Sequence, residues 1–128
     1  MAKRILLAED EPSVTRLIQV NLELAGYTLD CVADGEAALA AIRDALPDLL
    51  ILDVTMPRLD GFEVLRALKS DPETAQLPVV MLTGKSDDES VFKAWQSGVD
   101  CYMTKPFDPA ELATMVQRLL SEDERWDG

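Results

Sequence analysis

The chain has no histidine at all. That excludes a nucleophile activated by imidazole, and it excludes any metal centre built on imidazole nitrogen. Cysteine is nearly as scarce. Cys31 and Cys101 lie far apart inside apolar stretches, outside any Cys-x-x-Cys or zinc-spaced set, so both are expected as small buried hydrophobes. Long apolar runs are missing too, and nothing approaches the ~20 apolar residues that a bilayer span requires. The opening Met1-Ala-Lys-Arg-Ile-Leu-Leu-Ala-Glu9 places only Ile5 to Ala8 between a basic pair and the first acid. A secretory signal needs a longer apolar region, so the sequence reads as mature and cytoplasmic, with no membrane association.

Positive charge is in short supply: 12 lysines and arginines stand against 24 acidic residues, a net charge of −12. A module that grips nucleic acid gathers its basic residues on one face. No such cluster is visible, and direct nucleic-acid binding is not expected. The acidic surplus keeps a protein in solution, or it meets a basic partner or a metal.

What is present suits one globular domain. The 128 residues are 48% hydrophobic and 28% charged, enough to bury roughly two-thirds of the unfolded surface. We expect this domain over residues 1–121, with a polar, frayed tail over 122–128.

Five short apolar runs alternate with amphipathic segments: Ile5–Ala8, Tyr27–Val32, Leu49–Leu52, Val79–Leu82 and Val99–Met103. Most are continuously apolar, as strands covered on both faces must be. In the second, Thr28 and Asp30 face outward, which marks an edge. Between the runs the period becomes helical. Val14, Leu17, Ile18, Leu22 and Ala25 follow the three-four spacing, and Gly26 stands where a helix stops. A second helix is expected over Gly35–Ala45 and a third over Phe62–Lys69. Ser86-Asp-Asp-Glu89 has the capping-box form and opens a fourth that ends near Gly98. Asp108-Pro109-Ala-Glu111 opens the last. Strict alternation implies an α/β fold: a five-stranded parallel sheet, doubly wound with five helices. Order 2-1-3-4-5, the flavodoxin-like arrangement, suits this length, although alternation alone does not choose it over other doubly wound orders.

Ligands of such sheets bind beyond the carboxyl ends of the strands. Glu9 and Asp10 follow the first run, Asp53 the third, Thr83 the fourth and Lys105 the fifth. Singly, each has an ordinary explanation: Asp10 as a helix N-cap, Thr83 as turn chemistry, Lys105 as a solvated charge. Their falling on one rim is the signal. At about 4 Å and an effective dielectric near 20, each pair of ionised carboxylates costs roughly 4 kcal/mol. One lysine cannot offset that, whereas a divalent cation can. Hard oxygen donors without histidine point to Mg²⁺, which keeps open positions for phosphate oxygens. Asp53, at the end of the most apolar strand, is the best-placed nucleophile for an aspartyl phosphate. Glu9, Asp10 and the Thr55 carbonyl complete a metal site with it, and Thr83 and Lys105 are placed to contact phosphoryl oxygens.

With these residues in hand, the chain resembles the receiver domain of two-component response regulators from Arg4 to about Leu120. The resemblance is carried by Leu7-Ala-Glu9-Asp10-Glu-Pro12, Leu52-Asp53-x-x-Met56-Pro57-x-x-Asp60-Gly61, Thr83-Gly84 and Tyr102-Met-Thr-Lys105-Pro106-Phe107. It implies that Asp53 accepts a phosphoryl group from a sensor histidine kinase, a phosphotransfer protein or a small phosphodonor. Glu9, Asp10, Asp53 and the Thr55 carbonyl then hold Mg²⁺, while Thr83 and Lys105 bind the phosphate. Thr83 and the aromatic Tyr102 form the switch, the Lys105–Pro106 bond is cis, and Thr55 and Lys85 tune the lifetime of the phosphate. The output face is made of the fourth helix, fifth strand and fifth helix, and it meets a downstream protein or a second copy. Trp95 on the fourth helix is expected to pack against the sheet.

By the same resemblance the protein is no enzyme beyond its own phosphorylation and dephosphorylation. Glu9 departs from the family's more usual aspartate but keeps its charge. A haloacid-dehalogenase-type enzyme shares the aspartate, lysine and Mg²⁺, yet it resembles a pattern with a second aspartate where Thr55 stands. A receiver-like module that is never phosphorylated would have lost the acidic pair, the aspartate or the lysine. A flavin module would not set Glu9-Asp10-Glu11 where phosphate must sit. The short stretch after the last helix favours a stand-alone regulator.

Overall fold

The computed structural model describes residues 2–56, 58–84 and 88–125. Its strands are β1 (Arg4–Ala8), β2 (Thr28–Val32), β3 (Leu49–Asp53), β4 (Val79–Thr83) and β5 (Cys101–Thr104). They alternate with α1 (Pro12–Leu24), α2 (Gly35–Asp44), α3 (Gly61–Lys69), α4 (Asp88–Gln96) and α5 (Pro109–Arg125). The sheet is parallel throughout and runs β2-β1-β3-β4-β5. Alternation in sequence left the order open; the pairing settles it as 2-1-3-4-5.

The two-residue strand period divides the core into two layers. Leu6, Leu50, Leu52 and Met81 face α2, α3 and α4, where Ala38, Ile42, Val64, Leu65 and Ala94 meet them. Ile5, Leu7, Ile51, Val80 and Leu82 face α1 and α5, against Ile18, Leu22, Leu112 and Val116. Both layers are served by one strand, so β3 and β4 are buried at every position. Each such aliphatic side chain contributes about 2 kcal/mol of burial. At the edge, β2 keeps only Leu29 buried, as its outward Thr28 and Asp30 require.

Helix ends are set locally. Asp34 caps α2 by accepting from the Ala37 N–H at 2.8 Å. Asp60 and Glu63 form a reciprocal capping box on α3. Gly26, with φ of 99°, ends the turn after α1. The capping sequence that begins at Ser86 lies outside the described residues.

Three expectations need correction. Cys31 is exposed. It shares the face of Leu29 but sits where α1 begins, beside a cavity of about 450 Å³ bordered by Thr15, Arg16 and Gln19. Trp95 is 54% exposed, because α4 turns the small Ala94 to the core instead. Finally, α5 continues to Arg125, past the expected end of the helix. Glutamate and arginine there are good helix formers, and polarity alone does not fray a helix.

Candidate functional site: an acidic cluster at the carboxyl ends of the strands

The sheet delivers the candidate residues to one pole. Glu9 leaves β1 with its N–H on the Val32 carbonyl at 3.0 Å. The first turn of α1 starts at Pro12 after Glu11 as N-cap, so Asp10 is not the helix cap. Asp53 is the last residue of β3 and is 2% exposed; Glu9 is 3% exposed and Thr83, at the end of β4, is 0%. Hydrogen bonding continues past the strand ends, from the Val54 N–H to Leu82 and from the Lys105 N–H to Thr83. These bonds keep the rim in register with the sheet. The Lys105–Pro106 peptide is cis, as expected.

Carboxylate oxygens of Glu9, Asp10 and Asp53 lie within 4.8 Å of one another. Lys105 Nζ stands 2.9 Å from Glu9 Oε1 and 3.3 Å from Asp53 Oδ2. The Glu9 contact is an ion pair without hydrogen-bond geometry. Its Oε1 is accordingly the one buried side-chain oxygen among the described residues that lacks a hydrogen bond. The other oxygen, Oε2, accepts from the Glu11 N–H at 3.1 Å. On Asp53, Oδ1 accepts from the Thr55 N–H at 3.2 Å, which turns Oδ2 toward the lysine.

Burial raises the Glu9 carboxyl to about 7; Lys105 pulls it down and Asp53 pushes it further up. Burial also works against the charge on Lys105, but Glu9 and Asp53 outweigh it and lift the ammonium above the ordinary lysine value. Among the described residues, Lys105 is the one cation in contact with these carboxylates, and the negative charge is in surplus. Three hard oxygen donors this close, with Glu9 Oε1 held by an ion pair but no hydrogen bond, fit a small divalent cation such as Mg²⁺, whose octahedral ligand oxygens stand about 3–4 Å apart.

Glu11 was missed by sequence reasoning as a site residue. It is a third carboxylate on Lys105, at 3.3 Å. The run Glu9-Asp10-Glu11 was a signal for it, but the lysine that it meets comes from the far end of the chain. Tyr102 and Thr83 border a cavity of about 370 Å³ together with Thr55, Phe62 and Lys93. Lys93 Nζ lies 4.3 Å from the centre of the Phe62 ring. Lys85 lies outside the described residues.

Residues 5–117 match the family described as the response regulator receiver domain. The chain belongs to that family. Curated relatives include the alkaline phosphatase synthesis transcriptional regulatory protein PhoP of Bacillus subtilis, 40% identical over 97% of this chain and 51% of its own length. The DNA-binding dual master transcriptional regulator RpaA of Synechocystis sp. is 39% identical over 95% of this chain and 51% of its own. This receiver therefore spans about half the length of those relatives. Among solved structures, the signal receiver domain of a signal transduction histidine kinase from Syntrophus aciditrophicus superposes with a TM-score of 0.90 at 37% identity, covering 99% of this chain and 96% of that one. Among the described residues of this receiver, no helix is long and apolar enough to cross a membrane.

Proposed function

We propose that this receiver accepts a phosphoryl group on Asp53 and passes the change to a partner through the face formed by α4, β5 and α5. The observation that carries this reading is the buried Asp53 carboxylate, grouped with those of Glu9 and Asp10 and touched by Lys105. Response regulators as a class work with histidine kinases, so the donor is a kinase, a phosphotransfer protein or a small phosphodonor.

Asp53 is the nucleophile. One of its oxygens bonds to phosphorus as the donor's bond to the phosphoryl group breaks, and the leaving group departs with the bonding electron pair and takes a proton. Glu9, Asp10 and Asp53, with the Thr55 carbonyl, would hold Mg²⁺, which when bound neutralises charge on the phosphoryl oxygens. Lys105 shifts from the free carboxylate to a phosphoryl oxygen without leaving the site. The Thr55 N–H keeps Asp53 aimed. Thr83 donates its hydroxyl to a phosphoryl oxygen, and Tyr102 turns into the cavity they share, remodelling the output face. Thr55 and Lys85 set how fast water removes the phosphoryl group. Catalysis is confined to the protein's own phosphorylation and its loss.

The DNA binding in the names of the relatives is not carried onto this span, whose net charge of −12 opposes it. A cytoplasmic location accords with the kinase-dependent reading. The test is incubation with Mg²⁺ and a small phosphodonor. Wild type should gain an acid-stable, base-labile adduct and Asp53→Asn should gain none. Equal labelling of the two would remove Asp53 as the acceptor.

A further inference from the structure

The first residue of α2 touches the segment that carries the phosphoacceptor's flank. A Cβ placed on Gly35 would lie 2.3 Å from the Leu59 carbonyl oxygen, 2.6 Å from Leu59 Cβ and 2.9 Å from the Leu59 carbonyl carbon. Two of those three atoms are backbone, and no rotamer change can move them aside. Next to this contact, Arg58 adopts a φ of 73° and its Nε lies 3.7 Å from Oδ2 of Asp34, the N-cap of α2.

The described residues 54–56 and 58–60 belong to the loop between β3 and α3. Its neck is the Gly61 N–H on the Val54 carbonyl at 2.8 Å. Leu59 sits on the far side, packed against the core layer of α2 and α3. Beyond Leu59 the chain cannot give way, because Asp60 is locked into its capping box and α3 is anchored by Gly61, Val64, Leu65 and Leu68. A retreat of Leu59 is therefore passed back along the chain toward Thr55. Thr55 is the residue whose N–H aims Asp53.

We propose that Gly35 is a positioning residue for the acidic site. The bare first turn of α2 seats Leu59 and thereby fixes the loop that carries Thr55. This rests on the reading of Glu9, Asp10, Asp53 and the Thr55 carbonyl as a divalent-cation site. An alanine at position 35 forces the Leu59 backbone back by about 1 Å, a displacement that is expensive for a group aimed at a reacting centre.

The test is Mn²⁺ binding, followed by electron paramagnetic resonance of the free ion, with urea midpoints measured alongside. Gly35→Ala and Leu59→Gly should each weaken Mn²⁺ by about fivefold or more, the first by pushing the loop and the second by unseating it. Combined, they should bind no more tightly than either alone, since the Leu59 carbonyl oxygen and carbon, 2.3 and 2.9 Å from the new Cβ, are untouched by the loss of the leucine side chain. Gly26→Ala is the control: its φ of 99° strains any side chain, yet a Cβ there meets nothing within 4 Å. It should lose stability and keep wild-type affinity.

The proposal is overturned if Gly35→Ala binds Mn²⁺ as wild type does, or weakens it no more than Gly26→Ala. Should Gly35→Ala not fold, Leu59→Gly decides, and a Leu59→Gly protein that binds Mn²⁺ as wild type does overturns it. A wild-type protein that takes up no Mn²⁺ removes the metal reading itself, and this inference with it. That outcome is distinct from a wild type that binds normally beside an unaffected Gly35→Ala.

Discussion

The Lys105 backbone N–H donates to the Thr83 carbonyl at 2.6 Å. The lysine's main chain is therefore fixed by β4 independently of where its ammonium points. Its side chain can be replaced without moving the strand ends, which makes the ion pairs separable from the fold.

Lys105→Met removes the cation from between two buried carboxylates and should destabilise the metal-free protein. Losing one partner of a buried ion pair is costly, but Glu9 can take up a proton and limit the damage, so about 1–3 kcal/mol is expected. Mg²⁺ should recover part of the loss by supplying positive charge at the same place. Urea midpoints with chelator and with Mg²⁺ give both numbers. A metal-free midpoint equal to that of wild type would mean that the ammonium is not needed to balance the cluster.

Glu9 makes stability depend on pH in an unusual direction. Its carboxyl rises from 4.5 to about 7 in the folded protein, chiefly through burial. A folded-state pKa above the unfolded one means that the folded chain binds more protons between the two values. Stability of the metal-free protein is gained as pH falls through about 7, and the gain is complete near 4.5. Lys105, also raised, adds stability that is lost only in strongly alkaline solution. Urea midpoints in chelator should increase from about pH 8 to about pH 5, and Glu9→Gln should flatten the trend. A wild-type midpoint that falls over this interval would refute the assignment.

Much of the fold was legible because strand burial leaves a compositional trace. Leu49-Leu-Ile-Leu could only suit a strand covered on both faces, and Thr28 and Asp30 declared the edge. The site was legible for a related reason: parallel strands carry their last residues to one rim, so Glu9, Asp10, Asp53, Thr83 and Lys105 could be gathered without coordinates. What escaped depends on distances that periodicity does not encode. Glu11 meets Lys105 across 94 positions of sequence, and Gly35 meets Leu59 because α2 and α3 are neighbours on one face. Exposure of Trp95 and Cys31 follows from where helices begin and which small residue turns inward.

That last point has a direct consequence for stability. Trp95 is the larger side chain, but it is 54% exposed, whereas Leu82 on β4 is fully buried between the sheet and α5. Trp95→Ala should change the folding free energy by no more than about 0.5 kcal/mol. Leu82→Ala should cost about 2–5 kcal/mol through lost burial and the cavity left behind. Urea denaturation of both variants checks the ranking. A Trp95→Ala loss as large as that of Leu82→Ala would return the indole to the core, where the sequence had suggested it.

Gly61 is the point at which α3 leans on the end of β3, where Asp53 lies. A Cβ there would lie 2.7 Å from the Asp53 carbonyl oxygen, 2.8 Å from Val54 Cα and 3.2 Å from the Asp53 carbonyl carbon. All three atoms are main chain, so a methyl group must push β3 and α3 apart. Overpacking of this kind costs about 1–3 kcal/mol. The damage should fall on the proposed phosphorylation as well, because the backbone displaced is that of Asp53 itself and the neck hydrogen bond from the Gly61 N–H to Val54 is stretched. Small misplacements of a nucleophile are expensive, so Gly61→Ala should label from a small phosphodonor at least about tenfold more slowly at saturating Mg²⁺. Asp60 and Glu63 keep their capping box, and α3 should still form. The labelling time course and the urea midpoint are measured on the same preparation. A lowered midpoint with a wild-type labelling rate would show that the strand end tolerates the shift, and that the close approach of Gly61 serves packing alone.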